Sequence, residues 1–191
     1  VHDVLIEAEK ASLRAKDLTS QLLSFAAGGI RLRKVVCIQE LLRDLVRLSV
    51  DPRSVSCELT VPDNLWSVEI DEGSVGQAID TLIRFARQTT PQDGRIKISA
   101  ENLIISKSSA LPLREGRYVM IAIEDQGNGI SEVDLKTLFD PFCMGNIKGS
   151  GLEFASAFAV VQKHHGHITA ESHFGMGTTF RLFLPALQEQ Q

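Results

Sequence analysis

At 191 residues, with 43% hydrophobic and 23% charged residues and a net charge of -4, the chain has the make-up of a soluble globular protein able to bury its own core. The mild acidity argues against nucleic acid as the main partner, and no apolar run approaches the roughly 20 residues of a membrane helix, so no membrane contact is expected of this segment. Cys37, Cys57 and Cys143 are odd in number, widely spaced and free of any C-x-x-C pair, which predicts reduced thiols, no bound metal and a cytoplasmic setting, with any membrane anchor outside this stretch.

From Val4 to Ala26 there is neither Gly nor Pro, and Val4, Ala8, Ala11, Ala15, Leu18, Leu22 and Phe25 recur at alternating steps of four and three. That spacing predicts a helix with a coiled-coil seam, which Gly28 and Gly29 end; its narrowness and small residues favour a helical bundle over an ordinary amphipathic helix. The chain is thus divided into a helical lead-in, 1–29, and a globular domain, 30–191. Ile38 to Leu48 reads as a second helix. Val55, Cys57, Leu59 and Val61 alternate with polar residues, as do Trp66, Val68 and Ile70, and the intervening Pro62-Asp63-Asn64 turn predicts a hairpin.

The helical period returns over Val75 to Ala86 and stops before Pro91 and Gly94. Strands follow at 96–103 and 118–124, joined by a polar loop over 106–116. Ser131 is an N-cap with Asp134 in the capping-box position, 151–165 is a helix, and 168–171 with 178–184 form a closing hairpin. The order of elements predicts an α+β fold with helices on one face of a mixed sheet.

The segment Glu124-Asp125-Gln126-Gly127-Asn128-Gly129-Ile130 follows a strand directly. A carboxylate there, with two glycines that let the backbone turn and approach a ligand, suits recognition of an amino group on a flat heterocycle; taken singly it is equally a tight turn with an Asp bonded to its own backbone. Leu138-Phe139-Asp140-Pro141-Phe142 comes next, then Gly149-Ser150-Gly151-Leu152 opening a helix, then Gly175-Met176-Gly177-Thr178-Thr179-Phe180. A glycine-rich loop feeding a helix N-terminus presents unpaired amides and a positive dipole end, a place for phosphates.

This ordered set resembles the ATPase domain shared by sensor histidine kinases, gyrase, MutL and the heat-shock chaperones. The Phe139 to Phe142 element and the ending Ser172 to Pro185 look like the histidine kinase branch, and Leu18 to Gly29 is similar to the end of the second dimerisation helix in the nitrogen-regulation group. The resemblance implies a two-layer α/β sandwich of the Bergerat type that binds ATP and Mg2+. It implies that Asp125 accepts from the adenine amino group, that Gly127 and Gly129 shape the pocket, and that Gly149, Gly151 and Thr178 lie on the nucleotide; Lys148, in a segment that departs from the family's two threonines and a lysine, is either within reach of phosphate or a solvated loop cation. It implies as partners a second copy through the N-terminal helix, making a homodimer, and a response regulator or receiver domain.

Several positions depart from the family pattern. Where relatives carry N-L-x-x-N-A, with the second Asn on magnesium, this chain reads Thr81-Leu82-Ile83-Arg84-Phe85-Ala86. A phenyl ring offers no oxygen to a cation that demands a near-octahedral set of them. The phosphate loop's last glycine is Glu153, which brings like charge toward a triphosphate. His2-Asp3 matches only the start of the phosphoacceptor motif, and one helix follows it where a bundle needs a pair. His164, His165 and His167 lie at a helix end, where they cap carbonyls or meet solvent rather than bind metal. Two functions remain: a working kinase module whose phosphoacceptor helix is missing, and a relative with impaired nucleotide binding that keeps the fold as a regulatory or docking surface. The losses at Thr81, Phe85 and Glu153 favour the second, because phosphoryl transfer rests on charge stabilisation by metal and donors.

Overall fold

Alternation along 95–105 and 116–125 makes these segments the centre of the fold, because every second residue is apolar and must find a core. The structure is a computed structural model, and it describes residues 32–49, 55–141 and 151–187, all within the compact unit Arg31–Gln191. The expected lead-in helix and its seam, His2, Lys148 and Gly149 lie outside the described residues.

The elements run β1 (Lys34–Val36), α1 (Ile38–Ser49), β2 (Ser56–Thr60), β3 (Val68–Ile70), α2 (Glu72–Thr89), β4 (Arg95–Ile105), β5 (Gly116–Asp125), α3 (Glu132–Lys136), α4 (Gly151–Lys163), β6 (His167–His173) and β7 (Gly177–Pro185). Five strands form one sheet in the order β2-β4-β5-β7-β6, with β2 parallel to β4 and every other pair antiparallel. Ile96, Ile98, Ala100, Val119, Ile121, Ile123, Phe180, Leu182 and Leu184 point to the helices and join their apolar faces in one core. This is the expected α+β arrangement of helices on a mixed sheet.

α2 is the most enclosed helix. Val75, Ala78, Ile79, Leu82, Ile83, Phe85 and Ala86 are all buried along it, a stripe wider than a surface helix shows, and the helix packs on α1, α4, β5 and β7. It starts at Glu72, a turn before the apolar period does, because Asp71 caps it: Oδ1 accepts the N–H groups of Gly73 (3.2 Å) and Ser74 (3.3 Å). The Ser131 cap is present too, its Oγ accepting from the Asp134 N–H at 3.1 Å.

The expected hairpin across Pro62-Asp63-Asn64 does not form. The turn is there, but β2 runs parallel to β4 while β3 pairs antiparallel with β1, Lys34 opposite Ile70. Alternation reports a half-buried strand without naming its partner; here the two strands edge different sheets. Trp66 lies outside both strands. Its backbone N–H donates to Asn102 Oδ1 at 2.9 Å and the Arg117 guanidinium sits 4.3 Å from its ring centroid. β1, three residues long, is too short to show a period. On the opposite face of the sheet the loop after β4 folds back, with Leu111 and Leu113 covering a small cluster of Ile105, Tyr118 and Phe183.

α4 ends with His165 in the left-handed region (φ 59). The Gly166 N–H donates to Val161 O and the His165 N–H to Gln162 O, the paired bonds of a Schellman cap. The buried His164 ties this end to the start of α2. Its Nδ1 bonds Val160 O at 2.8 Å, which can only accept, and its Nε2 receives the Asp71 N–H at 3.0 Å, which can only donate. The ring is therefore the neutral Nδ1–H tautomer. Burial, more than the nearby Arg33 and His165, holds its pKa below the ordinary value, against the pull of the Val160 carbonyl and Asp71. A depressed histidine pKa stabilises the fold above the unfolded value, about 6.5, and that stability is lost as pH falls toward the folded pKa. The melting temperature should therefore drop between pH 7.5 and 5, and His164→Ala should melt lower at pH 7.5 but with a flatter profile. His167, also depressed by burial, keeps the variant's profile from becoming flat. Parallel profiles for the two proteins would remove His164 as the source.

Candidate functional site

Asp125 is the last residue of β5, opposite Ile96, and is 6% exposed. Its Oδ1 accepts the Gly127 N–H at 2.8 Å, the local turn that a short acidic side chain favours. Its Oδ2 is buried and has no hydrogen-bond partner among the described residues. Burial raises the Asp125 pKa, and the Gly127 and Thr178 amides offset part of the rise. A buried acceptor without a donor costs about 1–3 kcal/mol, so the folded chain carries a penalty that an N–H group from a ligand would remove.

The walls around this carboxylate are backbone. Gly129 has φ +71, and a Cβ there would sit 2.3 Å from His173 O; Gly177 has φ +98, and a Cβ there would sit 2.0 Å from Asp125 O. Gly127 lies against the end of α2, where a Cβ would meet Thr89 O at 2.7 Å. Ser172 stitches these strands and turns together. Its Oγ accepts the Ile130 N–H (2.7 Å), donates to Gly177 O (2.8 Å) and lies 3.1 Å from Thr178 Oγ1. With the serine proton committed to Gly177, the Thr178 hydroxyl is the donor of that last bond. Thr178, 2% exposed, is thus part of the wall, and its side-chain proton is already engaged.

One turn back along α2 the chemistry changes. Phe85 is 7% exposed, and its ring meets Phe154 edge-on at 5.2 Å and Phe180 at 5.6 Å. Phe154 stacks on Phe180, and Phe139 joins from beyond α3, so α2, α4 and β7 share one aromatic cluster. Thr81 is buried with its hydroxyl donating to Gln77 O, inside its own helix. Neither residue aims an oxygen outward, so this stretch does not fit an octahedral cation. Gly151 is the first residue of α4 and Glu153 lies in its first turn. The Glu153 carboxylate is 3.9 Å from Arg84 Nη2, and Arg84 Nε is 3.2 Å from Asp80.

The fold therefore brings together Asp125, Gly127, Gly129 and Thr178, and sets Thr81 and Phe85 along the adjoining helix. Ser172, Thr89 and Arg84 escaped the sequence reading as site residues. Ser172 and Arg84 each have a local partner, Gly177 and Asp80, but the contacts that bring them to the site reach Ile130, 42 residues away, and Glu153 in α4. Thr89 enters through its carbonyl, which any residue could supply.

Residues 70–188 match the family described as Histidine kinase-, DNA gyrase B-, and HSP90-like ATPase. The chain is 31% identical over 185 residues to the sensor kinase CckA of Brucella abortus, covering 93% of this chain and 20% of that protein. It is 31% identical over 137 residues to the sensor histidine kinase WalK of Bacillus subtilis, covering 69% and 21%. Among solved structures, full-length ShkA in complex with AMPPNP superposes with a TM-score of 0.76 at 21% identity, over 100% of this chain and 40% of that one. The mycobacterial sensor histidine kinase MprB gives 0.66 at 23% identity, over 81% and 98%. The chain belongs to this ATPase family, and its relatives place it with the catalytic ATP-binding domains of sensor histidine kinases. It spans about a fifth of the length of the curated relatives it matches. No helix among the described residues is long and apolar enough to cross a membrane.

Two substitutions test the geometry with opposite signs. Asp125→Asn keeps an acceptor for Gly127 and removes a buried charge, so the ligand-free chain should melt higher, by the roughly 2–4 °C that 1 kcal/mol gives in a domain this size. Gly177→Ala forces a Cβ onto Asp125 O at a positive φ and should cost about 3 kcal/mol in denaturant unfolding. An Asp125→Asn chain that melts lower would mean that the buried charge costs the fold less than the unpaired amide that replaces it.

Proposed function

We propose that this chain is the ATP-binding domain of a sensor histidine kinase in two-component signalling with impaired nucleotide binding, one that reads adenine through Asp125 but does not hold a magnesium-bridged triphosphate for transfer. The observation that carries this reading is the contrast within one site. Asp125 keeps a buried, unpartnered oxygen suited to an amino group, while Phe85, at the position the family pattern gives to a metal ligand, is built into an aromatic cluster.

What this chain's residues do follows from their chemistry. Asp125 accepts from the base, the Gly127 to Gly129 turn presents backbone close to its plane, and Thr178 with Ser172 holds the wall behind the carboxylate. Magnesium bound elsewhere in the family supplies charge neutralisation along the phosphates; here the Phe85 ring has no oxygen and the buried Thr81 hydroxyl is turned to Gln77 O. Glu153 sets a carboxylate in the first turn of α4, where the helix dipole favours an anion, and so competes with a phosphate for that end. Lys148, Gly149 and Gly151 complete the nucleotide-contacting set on the family pattern alone. As partners we propose a second copy through the N-terminal helix and a response regulator or receiver domain, in the cytoplasm. The alternative, an active ATP- and magnesium-dependent module served by a phosphoacceptor helix outside this chain, rests on Asp125 and the glycines.

Incubation with γ-labelled ATP and magnesium, alone and with a helix pair that carries a phosphoacceptor histidine, should leave no label on histidine. Binding of a fluorescent ATP analogue should be weak, change little with magnesium and vanish in Asp125→Ala. Labelled histidine, or micromolar magnesium-dependent ATP binding, would return the active kinase to first place.

A further inference from the structure

We infer that the site takes adenosine, or an adenine nucleotide with few phosphates, without a divalent cation and in preference to magnesium ATP. This rests on the reading of Asp125 as the adenine acceptor and adds the class of ligand.

Three observations carry it. Asp125 Oδ2, on a residue 6% exposed, has no partner among the described residues, and an exocyclic amino group is the neutral donor that satisfies it. That half of the site recognises a base and asks nothing of its phosphates. Phe85 fills its position with a ring held from two sides, so the adjoining stretch of α2 is apolar where a cation would bridge phosphates. Arg84, the basic residue next to it, is already engaged: Asp80 holds its Nε at 3.2 Å and Glu153 faces its Nη2 at 3.9 Å. A guanidinium matched by two carboxylates is a poor counter-charge for a third anion, and Glu153 repels what Arg84 would attract.

A ligand that brings four negative charges and leaves magnesium behind meets the described residues of this end, Glu153 and the already paired Arg84, unfavourably, whereas a nucleoside meets them as a neutral body. Like charges brought together at the dielectric of a protein surface repel enough to weaken binding by about tenfold or more, before screening by salt. Affinity should therefore fall from adenosine through AMP and ADP to ATP, the reverse of the order in a site that clamps phosphates.

Isothermal titration of the full chain with adenosine, AMP, ADP and ATP, each with and without magnesium chloride, and with guanosine as the base control, decides the matter. The expected result is adenosine at least about tenfold tighter than ATP, magnesium altering ATP binding by less than twofold, and guanosine inert. Glu153→Gln, on a half-exposed side chain, should improve ATP more than adenosine and so narrow their ratio; a purely structural role for Glu153 would leave the ratio where it was. ATP binding tighter than adenosine, and tighter still with magnesium, overturns the inference while leaving Asp125 as the reader of the base. Absence of binding by every adenine compound, or equal binding in Asp125→Ala, overturns the reading of the site itself and this inference with it.

Discussion

Helix α2 is enclosed by β5 and β7 beneath it and by α1 and α4 beside it, and a helix so confined cannot shift without moving the core. Its far end offers the Thr89 carbonyl against which Gly127 packs, its middle carries Phe85 into the aromatic cluster, and its exposed edge presents Arg84 to Glu153. The position of the Asp125 carboxylate, the aromatic ring at position 85 and the charge pairing at the neighbouring helix start are consequences of one packing arrangement. The start of α2 is fixed as firmly as its end, by the Asp71 cap and by His164 reaching across from α4.

That confinement also explains why the substituted positions are not independent. An asparagine at position 85 would place an amide among Phe154 and Phe180, and large-to-small changes at such a buried aromatic cost about 3–5 kcal/mol. On the proposed reading, the aromatic cluster takes up space that a metal-binding helix would leave to an oxygen ligand. Once a ring occupies it, the chain gains cohesion between α2, α4 and β7, and a glutamate at the head of α4 finds its partner in Arg84 rather than conflicting with a bound triphosphate.

Much of the fold was legible in the sequence because its elements are long and strongly periodic: α2, β4, β5, α4 and the closing hairpin all lie within a few residues of where alternation or helical spacing puts them. Position 71 was harder, since the apolar period begins only at Val75 and the cap precedes it. The β2 to β3 connection was misread because the Pro62-Asp63-Asn64 turn looks like a hairpin turn, while the true partners, β4 and β1, are chosen by burial at long range. In the site, Asp125 and the glycines stood out through their order along the chain. The match of Arg84 with Glu153 and of Phe85 with Phe154 and Phe180 joins residues nearly 70 positions or more apart, a separation at which no local pattern operates.

The small cluster of Ile105, Tyr118 and Phe183 under Leu111 and Leu113 lies at the end of the β4 and β5 pair away from Asp125. Ten residue pairs join these strands from Ile96 opposite Asp125 to Ile105 opposite Gly116, and a slip by one would turn Tyr118 into the helical core and Val119 out to solvent. The cluster, with the Tyr118 hydroxyl donating to Arg114 O at 3.0 Å, acts as a register lock. On the proposed reading, a ligand on Asp125 would meet a sheet whose strands are held in register, and adjustment would fall on the turns from Gly127 to Ile130 and from Phe174 to Met176. On that reading, the fit of the base would be set by two short turns against a fixed edge.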